Sequence, residues 1–312
     1  MRTEPSAAVV KLDKSFAVRF VPGSDLIVSA GSGVALWQRS SGERVASAKP
    51  FPHPAHLAVS PDGTMLAVKN TAGQLALLGL PDLQVKWATS ASGEGCQPLF
   101  SPCGRYLVTG SWAGLLYVVD VSTGDSRPVE QRDRTMLTWL SQSADRQTFC
   151  SVHAPKAMGD APPGAAVIAI RQWPLDGGNV RLVNGPWRYV NAAEISGDAQ
   201  RLAVLHHSDG RQLRIDVMDL ASMQVASSAP FDYGGTNHSL AWSHDDRLLA
   251  CVTTGRVTLF DAGSLQALAS EPMAYPCHVF FSPDGEWLAM GSWQKGRLMR
   301  VQALLDGGHR SD

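Results

Sequence analysis

One turn returns along the chain about every forty residues, and it limits the possible folds more than any other feature. Its clearest copies are Ser60-Pro-Asp-Gly63, Ser101-Pro-Cys-Gly104 and Ser282-Pro-Asp-Gly285. Proline presets φ at the second position and glycine tolerates a left-handed fourth position, so each copy joins two strands as a hairpin. Short apolar runs flank the copies, such as His56-Leu-Ala-Val59 before the first and Met65-Leu-Ala-Val68 after it. Worn copies read at Val21-Pro-Gly-Ser-Asp25, Ser141-Gln-Ser-Ala-Asp145, Ser196-Gly-Asp-Ala199 and Ser243-His-Asp-Asp246. First residues at 21, 60, 101, 141, 196, 243 and 282 give steps of 39, 41, 40, 55, 47 and 39.

A period near forty built from short strands points to a β-propeller, with four strands to each blade. A helical solenoid of similar period is disfavoured, because the apolar runs are short, alternate with period two and are bounded by Gly and Pro. The expected fold is all-β: a seven-bladed β-propeller of four-stranded antiparallel blades. The blades fall at about 16–51, 53–91, 95–130, 136–189, 190–233, 238–275 and 277–303, within a single domain over 7–303. Residues 7–12 have strand character and are expected to add the outer strand of the last blade. That closes the ring and removes an open sheet edge. Residues 304–312 are expected to be a C-terminal tail.

Charge excludes several partners. The 27 Lys and Arg nearly balance 28 Asp and Glu, a net charge of -1, so no bulk attraction to nucleic acid or to an anionic membrane is expected. No run of 18 apolar residues marks a membrane span. The five cysteines show no CxxC and no paired zinc spacing. With no signal-peptide pattern at the start, the expected location is cytoplasmic.

The turns, together with strand endings such as Trp37-Gln38, Val119-Asp120, Met218-Asp219 and Phe260-Asp261, resemble the WD40 repeat family across residues 7–303. The family's Gly-His pair is missing, and the Asp of its loop between second and third strands survives only at Asp209. The bracing tetrad of such blades is therefore expected to be mostly absent. Blade five also looks like the TolB-type bacterial propellers. The resemblance implies a scaffold or adaptor that binds another protein.

Loops joining second to third strands, and fourth strands to the next blade, share one end of such a ring. On them the sequence places Trp112, Trp187, Arg188, Tyr189, His207, Arg211, Phe231, Tyr233, Tyr275, Trp293 and Lys295, together with an insertion at 153–164. Aromatic and Arg side chains on rigid loops make binding hot spots, so these are the candidate partner-binding residues. His56, Gln97, Ser239 and His278 share one repeat position and form a candidate polar ring at the mouth of the channel. No GxSxG, HExxH, Walker loop or GxGxxG occurs, and no catalytic residue, metal or cofactor is expected. The expected molecule is a monomeric, non-catalytic protein-interaction module. The alternatives are a propeller enzyme of lactonase or lyase type with a ligand or metal at the channel mouth, and an immunity-type inhibitor of a toxic enzyme.

Overall fold

The computed structural model describes residues 9–308 except 91–92, 157–160, 176–179, 208–211, 232–238 and 254. Among the described residues, five separate four-stranded antiparallel sheets stand around a central axis. Blade A holds Pro54–Val59, Met65–Asn70, Leu75–Gly79 and Val85–Thr89, in that order from the axis outward. Blade B begins at Leu99–Phe100, blade C at Thr135–Gln142, blade D at Tyr189–Ile195 and blade E at Ser239–Trp242. Their innermost strands touch in chain order, and Pro276–Phe281 and Ser15–Phe20 complete the circle.

The expectation of seven separate blades is corrected here. The strands assigned to the first and last of them form one continuous eight-stranded sheet. Its seam is a single residue pair, Ser15 with Ser292, between Ser15–Phe20 and Trp287–Ser292. Gly291 permits the approach: a Cβ there would lie 2.1 Å from the carbonyl oxygen of Phe16. Val9–Lys11 forms the far edge of this sheet, pairing Val9 with Met299, Val10 with Leu298 and Lys11 with Arg297. Val10 and Leu12 are buried there with Trp37, Trp287 and Leu298.

The turns hold the inner hairpins through one repeated device. The hydroxyls of Ser60, Ser101, Ser143, Ser196, Ser243 and Ser282 each accept the N–H of the residue five places on, at 2.9–3.1 Å. All but Ser101 donate to an Asp two places on: Asp62, Asp145, Asp198, Asp245 or Asp284. The second worn copy therefore starts at Ser143, not Ser141. The fourth turn residue is left-handed throughout, as Gly63, Gly104 and Gly285 but also as Arg146, Ala199 and Asp246.

Neighbouring sheets pack face to face through buried aliphatic side chains. One cluster runs unbroken from Trp139 in blade C through Leu205 in blade D to Phe260 in blade E. The last described residues form a helix, Val301–Gly308, which seats Val301 and Leu304 in the core beside Ala267–Pro272. The expected tail is thus helical at its start.

Three outcomes follow from this packing. Removing residues 1–13 uncovers the edge Arg297–Arg300 and part of a buried cluster, so the melting temperature should fall by several degrees and aggregation should rise. Ala199 holds φ of 57° and packs, partly buried, against the core cluster of blades C to E. Ala199→Gly relieves a strain of about 1 kcal/mol but gives up that methyl contact and some chain entropy, so urea denaturation should show a nearly unchanged midpoint. Ser196→Ala leaves the Arg201 N–H without its acceptor and should cost about 1 kcal/mol.

Candidate functional site

Four of the expected binding residues stand exposed at the loop end. Trp112 is 47% exposed, Trp293 49% and Tyr275 64%, and Lys295 is also exposed. Backbone hydrogen bonds hold these loops in place: Trp112 N–H to Glu94 O at 2.6 Å, and Trp293 N–H to Tyr275 O at 3.1 Å. The second bond sets Trp293 beside Tyr275. Lys14 lies 5.9 Å from the Trp293 ring, and Lys14, Lys295 and Trp293 line one surface recess.

Trp187 is not a binding residue. It is fully buried, with its indole N–H 3.5 Å from Asp216 Oδ2. The same carboxylate meets His206 Nε2 at 2.7 Å and accepts from the Ser228 hydroxyl at 2.5 Å. Burial pushes the Asp216 carboxyl up, but these hydrogen bonds outweigh it and hold the group below its ordinary value. Blade D is thus braced by a buried Trp-Asp-His group with the exposed Ser228 hydroxyl, one instance of the bracing expected to be mostly absent. Arg188 and Tyr189 are half-buried, and Arg188 Nη1 donates to Ala161 O at 3.4 Å. His207 is half-buried, and burial with the neighbouring His206 lowers its pKa. Phe231 closes a blade D strand, but its side chain lies outside the described residues, as do Tyr233 and Arg211. The insertion begins later than expected. His153 is buried within the strand Thr148–Pro155, bonded to the Ser151 hydroxyl at 3.1 Å, and 157–160 lie outside the described residues.

Of the four expected ring residues, His56 and His278 come together at the axis, among aromatic rings. His56 and His278 face each other at 6.1 Å between ring centroids, and Trp139 stacks on His278 at 6.0 Å. Phe16 packs edge-on against His278 at 5.0 Å and against Trp293 at 4.6 Å. Gln97 Nε2 donates to Leu140 O, and the Ser239 hydroxyl accepts the Val279 N–H at 3.4 Å. Burial, with help from Lys69 and Arg19, takes His56 down to about 3, and burial takes His278 well below its ordinary value. Both rings are neutral at physiological pH. Among the described residues no three His, Cys, Asp or Glu side chains gather as a metal site.

Two residues farther along the innermost strands, toward the turns, a second layer appears that the sequence reading missed. Its members are Arg19, Ala58, Leu99, Ser141, Glu194, Ala241 and Phe280, each two places before its turn. The signal was available: one cation and one acid at a repeat position otherwise occupied by small or apolar residues. Placing the second worn turn at Ser141 put Trp139 and Ser141 out of frame, which left Trp139 out of the first layer and Ser141 out of the second. Trp139 Nε1 donates to Glu194 Oε1 at 2.8 Å. Burial drives the Glu194 carboxyl up to about 8, against the pull of Trp139 and Arg19, and drives Arg19 down to about 9, against the pull of Glu194.

These shifts fix the sign of the pH dependence. His56 and His278 stay neutral in the fold, whereas an unfolded histidine takes up a proton near pH 6.5. Their contribution is complete above that pH and is lost on acidification, by up to about 1.4 kcal/mol per pH unit for each histidine. Glu194 acts in the opposite sense: its contribution is complete below about pH 4.5 and is lost as pH rises toward 8. Chemical denaturation across pH 4 to 8 should therefore show a shallower acid limb in the His56→Gln, His278→Gln double variant. It should show a shallower alkaline limb in Glu194→Gln.

No family model and no curated protein matches the sequence. In three dimensions the chain is similar to a chain of Kuenenia stuttgartiensis hydrazine synthase, with a TM-score of 0.78 and 16% identity over 93% of this chain and 96% of that one. It is likewise similar to the Myceliophteria thermophila Cps50 (Swd1) β-propeller domain, with a TM-score of 0.74 and 12% identity over 94% of this chain and 99% of that one. One of these neighbours is named as an enzyme and the other as a propeller domain, so the shared fold selects neither role. At such identities the likeness establishes architecture alone: the chain is a β-propeller.

Proposed function

We propose that this propeller is a non-catalytic protein-binding module, a scaffold or inhibitor-type binder, whose partner seats on the end carrying Trp112, Tyr275 and Trp293. The observation that carries this reading is their shared exposure on loops of one end, at 47%, 64% and 49%. Large aromatic side chains left in water gain most when a partner desolvates them, and Trp and Tyr dominate such contacts. Backbone bonds already order the loops, so little entropy is lost on docking. Lys14 and Lys295 beside Trp293 favour an acidic rim on the partner, which speeds encounter more than it tightens the complex.

Affinity purification of the full chain from its host, followed by titration of the recovered protein, tests the reading. Trp293→Ala or Tyr275→Ala should weaken binding by about 1–3 kcal/mol, roughly 5- to 150-fold, with an unchanged melting temperature. A Trp112→Ala, Tyr275→Ala, Trp293→Ala triple variant that binds the partner as the parent does overturns it. Trp187→Ala should instead destabilise the fold itself by about 3–5 kcal/mol.

A further inference from the structure

We propose that the axial cavity at the turn end is a binding site for a small organic carboxylate that also carries hydroxyl or amino groups. The site lies at the opposite end of the axis from the partner face and does not depend on that reading. The cavity measures about 610 Å³ and is walled by the turn-proximal halves of the innermost strands. That is the size of an ordinary small-molecule pocket.

Four features of the lining define the ligand. The first is Arg19, whose guanidinium lies flat on the Phe280 ring, 3.2 Å from its centroid. Among the described residues its only hydrogen bond is Nη1 to Val18 O at 3.0 Å, and it forms no ion pair. Arg171 and Arg297 are neutralised, by Glu130 and Glu271, whereas Arg146 on the same cavity wall donates to Val59 O at 3.0 Å and adds a second cation there. A guanidinium held out of bulk water without a carboxylate is costly, and its fork matches an incoming carboxylate in two parallel bonds.

The second feature is Glu194, on the same wall, bonded to Trp139 rather than to Arg19. Its carboxyl is chiefly protonated at neutral pH, since burial takes it up to about 8. It therefore leaves the positive charge of Arg19 largely uncancelled and can donate a hydrogen bond. The third is a pair of buried amide oxygens without partners, Gln97 Oε1 and Gln142 Oε1, with Gln97 only 4% exposed. Both residues line the cavity. Unmatched buried acceptors call for O–H or N–H donors on the ligand. The fourth is apolar surface: Leu57, Leu99 and Ile195 line the same cavity beside a carbon skeleton. A carboxylate alone would satisfy Arg19 and leave the amides unpaired, and a neutral sugar would do the reverse.

Calorimetric titration of the full chain with sodium gluconate and with L-glutamate tests the site, with glucose lacking the carboxylate and hexanoate lacking the donors. At least one of the two acids should bind saturably and at least tenfold more tightly than either control. Arg19→Gln should weaken that binding tenfold or more, and Gln142→Leu several-fold. Val225→Ser, on an outer strand, should bind as the parent does. If Arg19→Gln does not fold, Gln142→Leu carries the test, since the Oε1 it removes has no partner to lose. Binding of neither acid above the controls overturns the site, and so does equal affinity in the parent and Gln142→Leu.

Discussion

Sheets arranged radially leave each innermost strand paired on one side only, with backbone groups directed toward the axis and the next sheet. Buried backbone donors and acceptors without partners are expensive, so side chains from neighbouring sheets must supply them. Ser141 in blade C accepts the Ile195 N–H of blade D, and Ser239 in blade E accepts the Val279 N–H of the strand beyond. In the other direction Gln97 donates to Leu140 O, and Trp242 to Glu194 O at 2.8 Å. Arg146 reaches back to Val59 O at 3.0 Å. Polarity along the axis is therefore a structural requirement before it is a functional one. Arg19 and Glu194 exceed that requirement: neither head group completes a strand edge on another sheet.

The turns were legible because their chemistry is local. A hydroxyl at the first position, an acid at the third and a left-handed fourth residue leave a mark in sequence even where Gly is lost. The frame slipped at Ser141 because Ser141 and Ser143 both precede Asp145, and only the hydrogen bond from Thr148 N–H to Ser143 decides between them. The number of separate blades was not legible. Whether two sheets merge rests on one residue pair, Ser15 with Ser292, and on Gly291 having no side chain to prevent it. No periodicity carries that information. The terminal helix was missed for a similar reason: Val301–Gly308 is too short for a helical pattern to stand out beside the strand that leads into it.

The candidate site divides along the same line. Trp112, Tyr275 and Trp293 follow Gly, Ser, Pro or Ala in loops whose place at one end is fixed by topology, so their exposure could be read ahead. Trp187 sits in a similar Pro-aromatic segment but was misread. Its fate depends on Asp216, 29 residues away on another strand of the sheet, whose carboxylate gathers the indole, His206 and Ser228. Loop position is local information, whereas burial of a loop aromatic is settled by a long-range acceptor.

The two ends of the ring also differ in what lies between them. From the exposed Trp293 an unbroken series of contacts runs down the axis: to Phe16 at 4.6 Å, then His278 at 5.0 Å, Phe280 at 6.3 Å and the Arg19 guanidinium at 3.2 Å. Such a stack makes the axis a packed rod instead of a pore. Close-packed rings transmit strain only if they have a second arrangement to move into, and contact by itself is not coupling. A ligand that merely pairs with Arg19 leaves Phe280 in place and the partner face unchanged. A ligand that draws Arg19 off the ring removes a cation from the face of Phe280 and frees that ring beside His278. The end that binds a small molecule and the end that binds a partner are thus independent for the first kind of ligand and linked for the second, and the position of Phe280 separates the two.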